Sequence, residues 1–233
     1  MISPGVYVII PAFNEALSID KVIAEIPDEV EEVIVVNNNS KDSTVQVAEQ
    51  AGATVLNEER QGYGWACLKG IEYLKGKPVK IVVFLDGDHS DYPAEMHQLV
   101  QPIYANEADM VIGSRALGNL EKGSMTPQQL FGNWLATGLI NLFYGIKYTD
   151  LGPFRAIRYP ALLSLKMQDK TYGWTVEMQL KAARKRLKIT EVPVSYRKRI
   201  GHSKVSGTVK GTLLAGYKIL LWVFTFMLQK SDD

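Results

Sequence analysis

Five short runs rich in valine and isoleucine, at 6–10, 32–36, 54–57, 80–85 and 109–112, alternate with stretches of helical periodicity at 15–26, 43–51, 64–74 and 93–105. Runs of this length are strands, and strands apolar on both faces lie inside a sheet covered by helices on both sides. Helix-length connections between them give βαβ units, so the first half of the chain is predicted to be an open α/β sheet. Such sheets bind ligands beyond the carboxyl ends of their strands. Read in order, those ends are "PAFNE", "NNNSKDST", "NEERQGYG", "DGDHSD" and "GSR". Polar chemistry is concentrated where this fold places a site.

At 233 residues, 46% of them hydrophobic, the chain can bury the core of one such domain. A net charge of +1 speaks against a protein that works by broad attraction to nucleic acid. The single cysteine, Cys67, excludes an internal disulfide and a thiolate zinc site, which points to the cytosol. The N-terminal apolar run has no basic leader and breaks at Pro11, so it reads as a first strand and not as a signal peptide. Beyond Arg115 the pattern predicts a helix over 130–144, a strand over 154–157, a helix in "GWTVEMQLKAARKRL" and a strand in "KITEVPVSYR".

Asp86 and Asp88, one residue apart at the end of a buried strand, cannot both stay charged in a dry setting without a cation or strong donors. Magnesium or manganese suits such hard oxygen ligands and commonly bridges carboxylates to the phosphates of a nucleotide. The alternative is that the aspartates cap the next helix; Asp91, beside Pro93, fits that role best. Asn14 and Glu15 stand at a helix start, where Glu15 would favour the dipole. Asn37, Asn38 and Asn39 offer amides for a base edge or for a turn. Gly62 and Gly64 allow close approach of the backbone to a ligand, or serve an ordinary loop.

The order "PAFNE", "NNNSKDST", "RQGYG", "DGD", "GSR" and then "GHSK" resembles the family 2 glycosyltransferases of the GT-A fold, and within them the dolichyl-phosphate mannosyltransferase-like branch. The resemblance spans 6–206 and implies a glycosyltransferase domain over 1–206 with an apolar C-terminal helix over 207–233. It implies a Rossmann-like, mostly parallel sheet with flanking helices, a nucleotide-sugar donor (UDP or GDP) and a Mn2+ or Mg2+ ion held by Asp86 and Asp88. Pro11, Phe13, Glu15, Asn37, Asn38, Gly62, Gly64 and Gly87 are then donor-site positions. Asp88 is the direct metal ligand, and Arg115 and Arg155 stand near phosphate.

Nine lysines and arginines fall between Lys181 and Lys204 against one acid, Glu191. Within that stretch "RKRIGHSK" resembles the family's loop that closes over donor and acceptor phosphates, which makes Arg197, His202, Ser203 and Lys204 phosphate binders. A lipid-phosphate acceptor is already ionised and needs no strong base, whereas a sugar hydroxyl needs a carboxylate within reach, and Asp150 and Glu177 are the candidates. Glu177 has a second reading, an i,i+4 pair with Lys181.

The sequence departs from the family pattern in three places. "NNNS" replaces "DDGS", Ser90 replaces a glutamine after the D-x-D, and "MTPQQLFGNW" lacks an arginine. The apolar stretch 213–228 would span about 24 Å as a helix, short of a bilayer core of roughly 30 Å. With 130–144 it is expected to lie at the cytoplasmic face of a membrane or to bury its surface in a homo-oligomer. The overall expectation is an inverting, metal-dependent hexosyltransferase acting on a polyprenyl phosphate or another membrane-associated glycan acceptor. Its rivals are a sugar-phosphate nucleotidyltransferase and a binding module that has lost turnover.

Overall fold

The computed structural model describes residues 4–201 and 209–228. Its strands are β1 (Val6–Ala12), β2 (Glu32–Asn37), β3 (Thr54–Asn57), β4 (Ile81–Phe84), β5 (Met110–Ser114), β6 (Arg155–Arg158) and β7 (Ile189–Pro193). Its α-helices are α1 (Ile19–Ala24), α2 (Thr44–Gln50), α3 (Tyr63–Tyr73), α4 (Met96–Tyr104), α5 (Pro127–Tyr144), α6 (Tyr159–Leu165), α7 (Trp174–Arg184) and α8 (Val209–Leu228). The strands form one sheet in the order β3-β2-β1-β4-β6-β5-β7.

Alternation along each central strand divides the core in two. Val6, Val8 and Ile10 of β1, with Ile81 and Val83 of β4, face α1, α2 and α4. Tyr7 and Ile9, with Val82 and Phe84, face α3 and the helices of the second half. This is the period-two pattern of a strand buried on both sides. The chain leaves β1 toward β2 and β3 in one direction and returns to β4 on the other side, so the switch in strand order lies between β1 and β4. Their carboxyl ends therefore flank the crevice that this topology leaves for a ligand.

The sheet is mostly parallel, with one exception that the sequence did not reveal. β6 lies antiparallel between β4 and β5, Arg155 standing opposite both Phe84 and Ile112. After β5 the chain makes α5 beyond the carboxyl edge, so it re-enters the sheet from that edge and must run backwards. The same excursion sets Asp150 and Leu151 beside the crevice.

Local chemistry moves several boundaries. α1 starts at Ile19 because residues 15–18 form a turn in which the Glu15 carbonyl accepts from Ser18 N and Ile19 N at 3.0 and 2.9 Å. Glu15 is thus outside the helix, and Asp20 is its first-turn acid. α5 starts at Pro127, where Thr126 and Gln129 form a reciprocal capping box. Asp91 caps nothing: Tyr92 precedes the 3-10 turn Pro93–Glu95, and no side chain caps it.

α8 docks on α5 and α7 through buried Val223 and Phe226. Among the described residues no helix is long and apolar enough to cross a membrane.

Phe84 is fully buried and meets Trp174 edge-on at 5.9 Å between ring centroids. Phe84→Ala is expected to cost about 3–5 kcal/mol of stability by leaving a cavity there. Urea denaturation measures it; a loss below about 1 kcal/mol would contradict the packing described.

Candidate active site

The carboxyl ends of β1, β4 and β5 open into one cavity of about 850 Å³. Pro11, Phe13 and Glu15 line it from β1, Asp86, Gly87 and Asp88 from β4, and Arg115 from β5. α3 contributes Tyr63, and Thr171, Tyr172 and Thr175 enter around the start of α7. Met125, Phe131 and Leu135 on or near α5, with Leu151 and with Ile219 of α8, add apolar surface, and α5 also brings the amides of Gln128, Gln129 and Asn133.

The two aspartates differ in their surroundings. Asp86 accepts from the Tyr63 hydroxyl at 3.1 Å through Oδ1. Burial, then the charge of Asp88, pushes its carboxyl up to about 7, with Arg199 opposing. Asp88 is nearly buried, and its Oδ1 accepts from both the backbone and the hydroxyl of Ser90. Its Oδ2 pairs with Nη2 of Arg199 at 2.6 Å. Ser90 thus orients Asp88 through a hydrogen bond, and it does not line the cavity. Asp91 is buried with neither carboxylate oxygen bonded, and burial followed by Asp86 and Asp88 raises its pKa well above the usual range.

This pocket is short of positive charge, which is the condition a divalent cation relieves. The donor set, two hard carboxylates on one cavity, fits Mn2+ or Mg2+. Among the described residues no group of three or more His, Cys, Asp or Glu side chains completes a protein-only cage. A metal here would take its remaining ligands from substrate and water.

Arg115 is held rigidly. Its backbone N and Nε donate to Oδ2 of Asp150 at 2.8 Å each, and Nη2 donates to Oδ1 at 2.6 Å. Burial works against the guanidinium charge and Asp150 more than offsets it, so the pKa lies above its ordinary value. Both oxygens of Asp150 are therefore committed to the arginine.

Other expected site residues are engaged elsewhere. Glu177 is fully buried, accepts from the backbone N of Gln168 and Asp169 at 2.7 Å each, and pairs with Lys181 at 2.6 Å. It braces the entry to α7 and does not line the cavity. Arg155 is likewise buried and donates to the carbonyls of Leu151, Gly152 and Thr175, with burial lowering its pKa to about 10. Arg197 donates to the carbonyls of His89 and Asp91 and to Glu25, and lies over the Tyr92 ring. It pins the loop after β4 and has no face on the cavity.

The asparagines build the turn. Asn37 donates to Asn57 and accepts from Ser40 N. Asn38 borders the cavity, yet its amide donates to the carbonyls of Glu58 and Arg60 and accepts from Gly62 N at 2.7 Å, which leaves it no free donor for a base. Gly62 borders the cavity while Gly64 does not, and both approach the backbone of residues 169–170 closely. His202, Ser203 and Lys204 lie outside the described residues.

Arg199 and Tyr63 escaped sequence reading. Tyr63 sat between two glycines whose role was assigned to the backbone. Arg199 was one of three adjacent basic residues, and only its pairing with Asp88 distinguishes it.

Residues 7–165 match the family model of Glycosyl transferase family 2. The chain belongs to this family. The glycosyltransferase is 32% identical to an uncharacterized glycosyltransferase of Mycobacterium tuberculosis over 92% of its own length and 96% of that protein's. It is 29% identical to the undecaprenyl-phosphate mannosyltransferase of Micrococcus luteus, over 88% and 89% respectively. That likeness supports the resemblance to the dolichyl-phosphate mannosyltransferase-like branch. Its fold matches the crystal structure of glucosyl-3-phosphoglycerate synthase from M. tuberculosis in complex with Mn2+, UDP and glucosyl-3-phosphoglycerate. The TM-score is 0.78 at 22% identity, covering 98% of this chain and 82% of that one. The likeness shows the GT-A fold.

Asp86 in this glycosyltransferase takes up a proton on folding at pH values between its ordinary 3.8 and about 7. Its stabilising contribution is therefore fully present below about pH 4 and is lost as pH rises through about 7. Melting of ligand-free Asp86→Asn is expected to lack the part of the wild-type decline that spans this window. Superimposable pH profiles for the two proteins would contradict the assignment.

Proposed function

We infer that the protein transfers a hexose from a nucleoside-diphosphate sugar to a polyprenyl phosphate, with inversion at the anomeric carbon. The observation that carries this reading is the polarity of the cavity. Asp86, Asp88, Arg115 and Arg199 gather at the strand ends, and Met125, Phe131, Leu135, Leu151 and Ile219 add apolar surface to the same cavity beside the amides of Gln128, Gln129 and Asn133. The charged groups suit a metal-bound diphosphate and the apolar surface a lipid.

A Mn2+ or Mg2+ ion held by Asp86 and Asp88 would neutralise charge on the departing diphosphate. Ser90 fixes the rotamer of Asp88 for this task, and Tyr63 fixes Asp86. Arg199, now paired with Asp88, carries a guanidinium into the same end of the cavity, where charge on phosphate develops. His202, Ser203 and Lys204 follow it in sequence and are assigned to phosphate binding by the basic motif.

The acceptor phosphate oxygen bonds to the anomeric carbon as the bond to the diphosphate breaks on the opposite face. Such an oxygen is already ionised near neutral pH and requires no carboxylate base. The commitment of Asp150 to Arg115 and of Glu177 to Lys181 supports a phosphate acceptor over a sugar hydroxyl. The name of the M. luteus relative supports it too.

Exposed Phe131 and Trp134 of α5, with Tyr217, Leu221 and Phe224 of α8, supply a surface suited to the membrane interface where such an acceptor resides. Phe143 and Phe224 link the two helices at 5.7 Å between centroids.

Incubation with radiolabelled UDP- and GDP-hexoses, undecaprenyl phosphate and Mn2+ tests the reading by the appearance of labelled lipid. Asp88→Asn is expected to reduce transfer about 100-fold or more. Turnover of the variant at the wild-type rate, or absence of labelled lipid with every donor, would overturn it. Trp134→Ser together with Phe131→Ser is expected to reduce flotation with vesicles of anionic phospholipid; unchanged flotation would remove α5 from the membrane contact.

A further inference from the structure

Three glycines and one buried carboxylate converge on the segment that leads into α7. A Cβ on Gly62 would stand 2.1 Å from the Lys170 carbonyl oxygen, and one on Gly64 2.1 Å from that of Asp169. On Gly173 it would stand 2.4 Å from Cδ1 of Trp222. The loop before α3 and helix α8 thus press on the same few residues from two sides. Trp65 N also donates to the Lys170 carbonyl at 3.2 Å.

Asp169 lies between them and is 3% exposed. Its Oδ1 accepts from Thr171 N at 2.7 Å and Gly173 N at 3.0 Å, which fixes its own loop. Its Oδ2 accepts from Trp222 Nε1 at 2.7 Å and from Lys218 Nζ at 3.4 Å, which fixes α8. At the other end of the chain of contacts, Tyr63 lies between the two glycines and donates its hydroxyl to Asp86. Backbone against backbone has no rotamer with which to absorb a shift, so a displacement of the 169–170 segment moves the α3 loop.

We propose that Asp169 is a positioning residue that registers α8 against the donor end of the cavity, so that the seating of α8 sets where Tyr63 meets Asp86. This rests on the reading of that end as the nucleotide-sugar site. The link runs from Trp222 through the Asp169 carboxylate and the Lys170 carbonyl to Gly62, Tyr63 and Trp65.

The test uses the full-length chain. Trp222→Phe keeps a ring in place and removes the N–H donor. Hydrogen exchange of the Trp65 amide in the ligand-free protein is expected to accelerate about fivefold or more. Asp169→Asn is expected to do the same, and Trp222→Phe decides alone if that variant does not fold. Leu220→Ala, on the exposed face of α8, is expected to leave Trp65 exchange unchanged.

Calorimetry with Mn2+ and either UDP or GDP, whichever binds the wild type, is expected to show a dissociation constant raised about fivefold in Trp222→Phe. Wild-type exchange rates at Trp65 in Trp222→Phe, or equal acceleration by Leu220→Ala, would overturn the proposal. If the wild type bound neither nucleotide, the functional reading would fall, and the exchange measurement would still decide the link.

Discussion

The end of β4 gathers Asp86 and Asp88 on the cavity and Asp91 buried behind them, and the rest of the site is arranged around that charge. Arg199 arrives from the segment after β7, Tyr63 from α3, and Ser90 from the loop itself. Arg115 comes from β5 and is neutralised by Asp150, so it adds a directed donor array more than net charge. Asp91 receives nothing and is raised toward neutrality. A protein that buries carboxylates without matching cations tolerates a penalty when empty that a cationic ligand removes. Binding and stability at this end of the molecule are therefore one quantity.

The strands and the place of the site were legible because both follow from patterning. Short apolar runs located the first five strands to within two residues at either end, although β7 stops at Pro193, short of the end of "KITEVPVSYR", and the strand-end rule put Asp86, Asp88, Phe13 and Arg115 on one cavity. Partners were less legible. Nothing local distinguishes Arg197 from Arg199, yet one ties down the loop after β4 and the other reaches Asp88. Nothing local says that Asn38 will exhaust its amide on Glu58, Arg60 and Gly62. Such choices are made by residues distant in sequence, and periodicity carries no information about them.

Boundaries failed where short-range chemistry competed with periodicity. The Thr126–Gln129 capping box was present in the sequence and extends α5 to Pro127, ahead of the apolar pattern that marked its start at residue 130. The turn at 15–18 delays α1. Helix α6, only Tyr159–Leu165, is too short to display a helical period and follows directly on β6.

The reversed strand has a kinetic meaning. β6 is flanked on both sides, so β5 joins β4 only through a strand inserted between them, and β7 is then added at the edge beyond β5. Val82 must wait for Ile157, and the whole of α4, β5 and α5 is synthesised in between. Closing a loop of that size is slow, and until it closes the apolar flank of β4 has no hydrogen-bonding neighbour on that side. Nascent chains that halt after α5 would therefore present an open sheet edge, the form of the molecule most inclined to self-association.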